Sequence, residues 1–365
     1  MKYVDEFRNR DIAKGIIEKI HGVSRKPVNI MEICGSHTHS ISKYGIRDAL
    51  PRNIRLISGP GCPVCVTSAG DINRLIGFVR HEKDIILATF GDMMRVPGSG
   101  SSLEREKARG SDIRVVYSPA DVLDIAASDP GREVVFSAVG FETTAPAVAA
   151  TILMAQERGL KNISFLSLHK LTPPAMRALL DSGEVELDGF ICPGHVTAVI
   201  GADAYRFISS EYHAPCVVAG FEPLDVLQGI YMLILQEEEG RSEIEIQYKR
   251  IVTWEGNRKA RDIMDRVFET CDASWRGIGN IPMSGLTIRS AFGDLDAARR
   301  FSLPEGIDEE TPGCSCGSLL KGLTAPNECP LFGKACTPED PKGPCMVSSE
   351  GTCAAYYKYG EGAPQ

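Results

Sequence analysis

A chain of 365 residues with 43% hydrophobic and 24% charged residues has enough apolar material for two or three folded domains, which excludes a disordered one. A formal charge of -8 and a pI near 5.5 argue against a nucleic-acid partner, and no block of lysines and arginines offsets that balance. The longest apolar runs, such as 145–155, fall well short of the roughly 20 residues a membrane span requires, so no membrane association is expected.

The opening MKYVDEFRNRDIAKGIIEKI alternates charged and apolar residues at helical spacing without an uninterrupted apolar stretch. It reads as a folded amphipathic helix over 1–24 rather than an export signal, and the expected location is the cytoplasm. From about residue 25 to 235, short β-branched runs alternate with helical patterns. Strands are predicted at 28–33, 54–58, 84–90, 113–117, 133–139, 163–168, 189–192 and 216–219. Continuous apolar strands separated by helices imply parallel sheets covered on both faces.

The fold class expected is therefore α/β, with two similar lobes of parallel sheet flanked by helices and a C-terminal cysteine-rich region. The eight strands divide in chain order into two sets of four, a first lobe over 25–128 and a second over 129–240. Pro119-Ala120-Asp121-Val122-Leu123 recurs 104 residues later as Pro223-Leu224-Asp225-Val226-Leu227, which suggests an internal duplication at that offset. After 240 the pattern changes. EIEIQYKRIV reads as extended, Asn257 to Cys271 as a helix, and from Thr311 the chain is rich in Gly, Pro and Cys without periodicity, so 241–365 forms a third region.

Parallel sheets bind ligands beyond the carboxyl ends of their strands, and the unusual strings fall there: CGSHTH at 34–39, GPGCPVC at 59–65, GFETTAP at 140–146, PGHV at 193–196 and GFEP at 220–223. Cys34, followed by His37 and His39, combines a thiol with imidazoles, a set suited to a soft metal or to a nucleophile, although a cysteine at a strand end is commonly just buried. Cys62 and Cys65 form a CxxC in front of a helical pattern, where the helix N-terminus favours thiolate, so they read as a dithiol/disulfide couple. Glu142, His195 and Glu222 are placed in strand-end loops of the second lobe, as groups that move protons, orient ligands or simply cap helices.

Of the twelve cysteines, six lie in the tail, at 314, 316, 329, 336, 345 and 353. In a reducing compartment such a density means metal ligands or redox thiols rather than a disulfide framework. Six thiols are two more than one cluster or zinc ion needs, which suggests four ligands and an additional pair. Their spacings match neither paired zinc knuckles nor the compact ferredoxin run, so composition leaves zinc and iron–sulfur even.

The strings EICGSHTH, SGPGCPVC, GFETTAP, CPGHV, GFEPLDVLQGIY and CPLFGKACTPEDPKGPCMVSSEGTCAAYY together resemble the hydrogenase maturation factor HypD family through nearly the whole chain. The resemblance implies a scaffold on which the Fe(CN)2CO group of [NiFe]-hydrogenases is built, working with the small chaperone HypC and the cyanide donor HypE. It implies Cys34 as the thiolate that holds the transient iron carrying CN and CO, with Cys62 and Cys65 as a redox pair near it. It further implies a [4Fe-4S] cluster in the tail, with Cys314, Cys329, Cys336 and Cys353 as the preferred ligands and Cys316 and Cys345 as a second pair. A rival reading is an iron–sulfur-dependent disulfide reductase, which would need an exposed CPVC and have no use for Cys34. A third is a structural metalloprotein whose lobes bind a partner.

Overall fold

The protein is described from a computed structural model covering residues 5–360. All eight expected strands form: β1 (Val28–Glu32), β2 (Ile54–Ser58), β3 (Ile85–Phe90), β4 (Ile113–Val116), β5 (Glu133–Ala138), β6 (Ile163–Ser167), β7 (Gly189–Pro193) and β8 (Cys216–Ala219). They are followed by a short β9 (Ile244–Ile246) and by an antiparallel hairpin of β10 (Phe268–Trp275) and β11 (Gly279–Ile288). The N-terminal helix runs over Arg10–Val23, capped by Asn9, after a 3-10 turn at Asp5–Arg8; residues 1–4 of the expected helix lie outside the described residues.

The strands join two parallel sheets with helices between them, as expected, but the sheets do not follow the two contiguous sets. One sheet has the order β2-β1-β7-β8-β9 and the other β4-β3-β5-β6. Strand pairing thus crosses the boundary expected at 128/129, because the second sheet is inserted whole between β2 and β7 of the first. Both share one strand order, with β1, β2, β7 and β8 equivalent to β3, β4, β5 and β6. That equivalence replaces the 104-residue offset. The recurring pentapeptides start helices after β4 and β8, which are not equivalent strands. What they share is local: Asp121 accepts from the Tyr117 and Ser118 amides, and Asp225 accepts from the Glu222 amide. Both recur as helix-start chemistry.

Burial follows the pleat. In the first sheet Val28, Ile30, Ile54, Leu56, Ile191, Val217 and Ala219 point into one core with the helix Pro223–Glu239, while Met31, Ile33, Ile57, Phe190, Cys192, Cys216 and Val218 fill the opposite core around Tyr205. Two further cores cover the inserted sheet. One of them also takes in Cys62, Cys65, Trp275, Leu319, Leu320, Cys345, Met346 and Cys353. The tail is therefore no free-standing lobe, since its buried residues share a core with the inserted sheet and the CPVC segment.

The helix expected over Asn257 to Cys271 is shorter than predicted. Asn257 caps it, it ends at Val267, and Phe268 to Cys271 enter β10, where β11 provides the backbone partners. Pairing in a ladder outweighs the weak propensity of that stretch for continuing the helix. No helix among the described residues is long and apolar enough to cross a membrane.

Candidate functional site

The strand order β2-β1-β7-β8-β9 reverses direction between β1 and β7, which opens a crevice at their carboxyl ends. Cys34 sits at that point. It is the N-cap of the helix Gly35–Lys43, with an extended backbone (φ -162°) and a side chain that makes no capping bond, so the sulfur is left free of the helix start. Two glycines let other segments reach it. A Cβ on Gly61 would overlap the backbone N and Cα of Cys34, and the Gly35 amide donates to the Gly61 carbonyl at 2.9 Å. A Cβ on Gly35 would in turn overlap Glu350 of the tail. The loop before CPVC and the tail both close on the same cysteine.

Beneath Cys34 lies Glu32, a buried carboxyl whose Oε2 accepts the Cys34 amide at 3.1 Å and whose Oε1 accepts the Thr38 hydroxyl. Burial pushes its pKa up to about 7. The Cys34 thiol, 9% exposed, is pushed up to about 12, first by burial and then by the Glu350 carboxylate. Ser36 Oγ donates to Glu350 Oε1 at 2.7 Å, which fixes that carboxylate at the site.

His37 is fully buried on the helix after Cys34. Its Nε2 faces the carbonyls of Gly220 at 3.0 Å and Ala219 at 3.3 Å, so that nitrogen carries the proton and Nδ1 has no partner among the described residues. Burial lowers its pKa to about 4, which keeps the ring neutral. Phe221 stacks on His37 at 4.8 Å and on the exposed His195 at 3.9 Å. The crevice thus gathers Cys34, His37 and His195, the last placed by the β7 end. His39 lies on the outer side, with Nδ1 facing the Ser349 carbonyl at 3.3 Å.

The two remaining carboxylates are not part of this cluster. Glu222, after β8, caps the helix Pro223–Glu239 and forms a two-point ion pair with Arg8 at 2.5 and 2.8 Å on the rim of a cavity of about 310 Å³ that also touches Ser36, His39 and Glu350. Glu142 follows β5 in the inserted sheet, not in the lobe of His195 and Glu222. Both its oxygens are taken by Thr172, from the amide at 2.8 Å and the hydroxyl at 3.0 Å, which makes it a buried helix-start anchor.

Cys62 and Cys65 are both buried and paired as a disulfide, with Cα atoms 5.2 Å apart. Proline at the first helical position starts a short helix, Pro63–Val66, directly on Cys62, and a second helix, Ala69–His81, follows with Ser68 as its cap. Cys65 Sγ lies 3.9 Å from the carbonyl of Pro344, which joins the pair to the tail.

The tail thiols meet over three short turns. A Cβ on Gly343 would fall 2.5 Å from the Cys316 sulfur and 2.6 Å from that of Cys314, so only glycine permits their approach. The neighbouring Cys316 thiol, followed by burial, drives the Cys314 thiol far upward. Cys336 accepts the Lys342 amide at 3.3 Å, and burial raises the Cys353 thiol strongly, with the neighbouring thiols adding to it. Six soft sulfur donors are thus drawn together, although among the described residues no three Cys, His, Asp or Glu side chains are gathered as a formed metal site. Glu32, Gly61, Phe221 and Glu350 were not singled out by sequence reasoning. All four stood inside quoted motifs, and only the folded approach of separate segments assigns them a place.

The profile of the HypD family, described as "Hydrogenase formation hypA family", matches residues 11–360. The chain is 50% identical to hydrogenase maturation factor HypD2 of Bradyrhizobium diazoefficiens, over 99% of this chain and 97% of that protein. It is 48% identical to HypD of Azotobacter vinelandii, with 99% and 97% covered, and 44% identical to HypD of Escherichia coli K12, with 98% of each covered. The likeness spans the crevice, the CPVC turn and the thiol-rich tail alike, and the chain belongs to the hydrogenase maturation factor HypD family.

Proposed function

We propose that this chain is the scaffold on which the Fe(CN)2CO group of [NiFe]-hydrogenase is assembled, with Cys34 as the thiolate that holds the iron. The observation that carries the reading is the convergence on Cys34 of the GPGCPVC loop through Gly61 and of the tail through Glu350, at the crevice between β1 and β7. Iron arriving there as substrate would find a sulfur unused by the helix cap. A thiol held near pKa 12 is protonated at neutral pH, so capture of the metal expels that proton. His37, neutral and clamped by two carbonyls, orients the helix that presents Cys34. HypC and HypE are the proposed partners, as the chaperone sharing the iron and the cyanide donor.

In this reading Cys62 and Cys65 cycle between disulfide and dithiol. The tail donors fit a [4Fe-4S] cluster in kind and number, with Cys314, Cys329, Cys336 and Cys353 as the proposed ligands and Cys316 and Cys345 as an adjoining pair. The closeness of the Cys314 and Cys316 sulfurs to Gly343 keeps the two sets in contact. Such a cluster supplies electrons one at a time. The burial of Cys62 and Cys65 disfavours the disulfide-reductase alternative, which needs the pair open to a protein substrate.

Replacing Cys34 with Ala deletes the soft ligand without removing a large side chain. The variant complexed with its chaperone is expected to lose the infrared bands of iron-bound cyanide and carbonyl while keeping its tail iron and sulfide. Bands at wild-type intensity would place the iron elsewhere.

A further inference from the structure

Arg276 is a buried cation, 2% exposed, in the turn between β10 and β11, and no sequence motif marks it. The turn is wedged between the two thiol sets. On one side Thr67 bridges to Trp275, the Arg276 amide donates to the Val66 carbonyl at 2.9 Å, and Arg276 Nε donates to the Thr67 carbonyl at 2.9 Å, so the guanidinium holds the end of the CPVC helix. On the other, a Cβ on Gly277 would overlap Gly317, the residue after Cys316. Nη1 pairs with Glu310 at 2.6 Å, and that carboxylate is part-exposed. Nη2 is buried and has no partner among the described residues. A guanidinium normally uses its donors when buried, and an unused one packed on the end of the CPVC helix is suited to an anion formed there.

We infer that Arg276 is a positioning residue for redox chemistry, its uncommitted Nη2 and its charge stabilising the thiolate formed when the Cys62–Cys65 disulfide is reduced beside the tail thiols. This rests on the redox role proposed above for that pair. With dithiothreitol as reductant, two electrons pass from its thiols to the disulfide. The Cys62–Cys65 bond breaks, a disulfide closes in the reagent, and the protons released go to solvent or to the protein sulfur that is not kept as thiolate. The cation favours the reduced side because only that side carries the new negative charge.

The test equilibrates the full chain anaerobically with dithiothreitol redox buffers at about pH 9, near the free-thiol range, and counts Cys62 and Cys65 by alkylation and mass spectrometry. Arg276→Gln is expected to lower the equilibrium constant for reduction about tenfold, a shift of about 30 mV to more negative potential for a two-electron couple, with Arg276→Lys within about twofold of the wild type. Glu310→Gln, at a part-exposed position that tolerates change, removes the compensating carboxylate and is expected to shift the constant in the opposite direction, which loss of packing would not do. It also keeps the test alive should Arg276→Gln fail to fold. Unchanged constants in both neutralised variants, or shifts of the same sign, would overturn the inference while leaving the redox pair intact. A wild-type pair that does not cycle at all would overturn the redox reading itself, and the inference with it.

Discussion

Glu32, Glu142 and Cys34 are ionisable groups at strand ends whose neutral forms are favoured by removal from water, and in each case burial is the largest cause. Glu142 allows the energetic consequence to be tested away from the iron site. Its pKa is raised from 4.5 to about 7, so between these values the folded state keeps a proton that the unfolded state has lost. Stability contributed by this group is therefore present below about pH 4.5 and lost as pH rises to about 7. Glu142→Gln, which cannot ionise, is expected to lose less stability than the wild type between about pH 5 and about pH 8 in denaturant titrations. Equal losses in both proteins would mean that Thr172 stabilises the charged carboxylate after all. The sequence places Glu142 in a strand-end loop. Its Thr172 partner, 30 residues on, follows β6, and that pairing exists only in the folded chain.

At the level of elements, the sequence is most legible where a single physical pattern dominates. The eight strands stand within a residue or so of their expected bounds because short apolar, β-branched runs between helical patterns fit a parallel sheet covered by helices, even where an edge strand such as β4 leaves Val115 exposed. The β10 boundary was less legible, since a charged helix passes into a strand without a glycine or proline to mark the change. The Cys34 helix and the CPVC helix meet through Gly61, where the obstructing atoms are backbone and cannot swing aside. Gly61→Ala is expected to cost about 1–3 kcal/mol, towards the upper end because of that rigidity. Thermal or denaturant unfolding measures it, and a loss below about 0.5 kcal/mol would show that the loop can move off Cys34.

Across the whole molecule, the insertion of one sheet into the other brings the carboxyl ends of β1 and β7 together although Glu32 and Pro193 stand far apart in the chain, and the tail packs over the CPVC helix. Burial, and after it the neighbouring thiols, keep Cys353 protonated in the absence of metal, so a cluster there would exchange its proton for a bond to iron and tie the tail to the shared core. Anaerobically purified protein is accordingly expected to be brown, with about four iron and four sulfide per chain, and its tail to become protease-sensitive when chelated. Stoichiometric zinc without sulfide would replace the cluster by a structural site. What the sequence determined by itself was the α/β class, the strands and the motif strings that mark the family, because periodicity and local chemistry are encoded within a few residues. Which strands share a sheet, how Glu32, Glu350 and Gly61 surround Cys34, and why Arg276 lies between two thiol sets were decided only by the tertiary structure. Each depends on contacts between segments far apart in the chain, and their order is set by how the sheets pack rather than by any local signal.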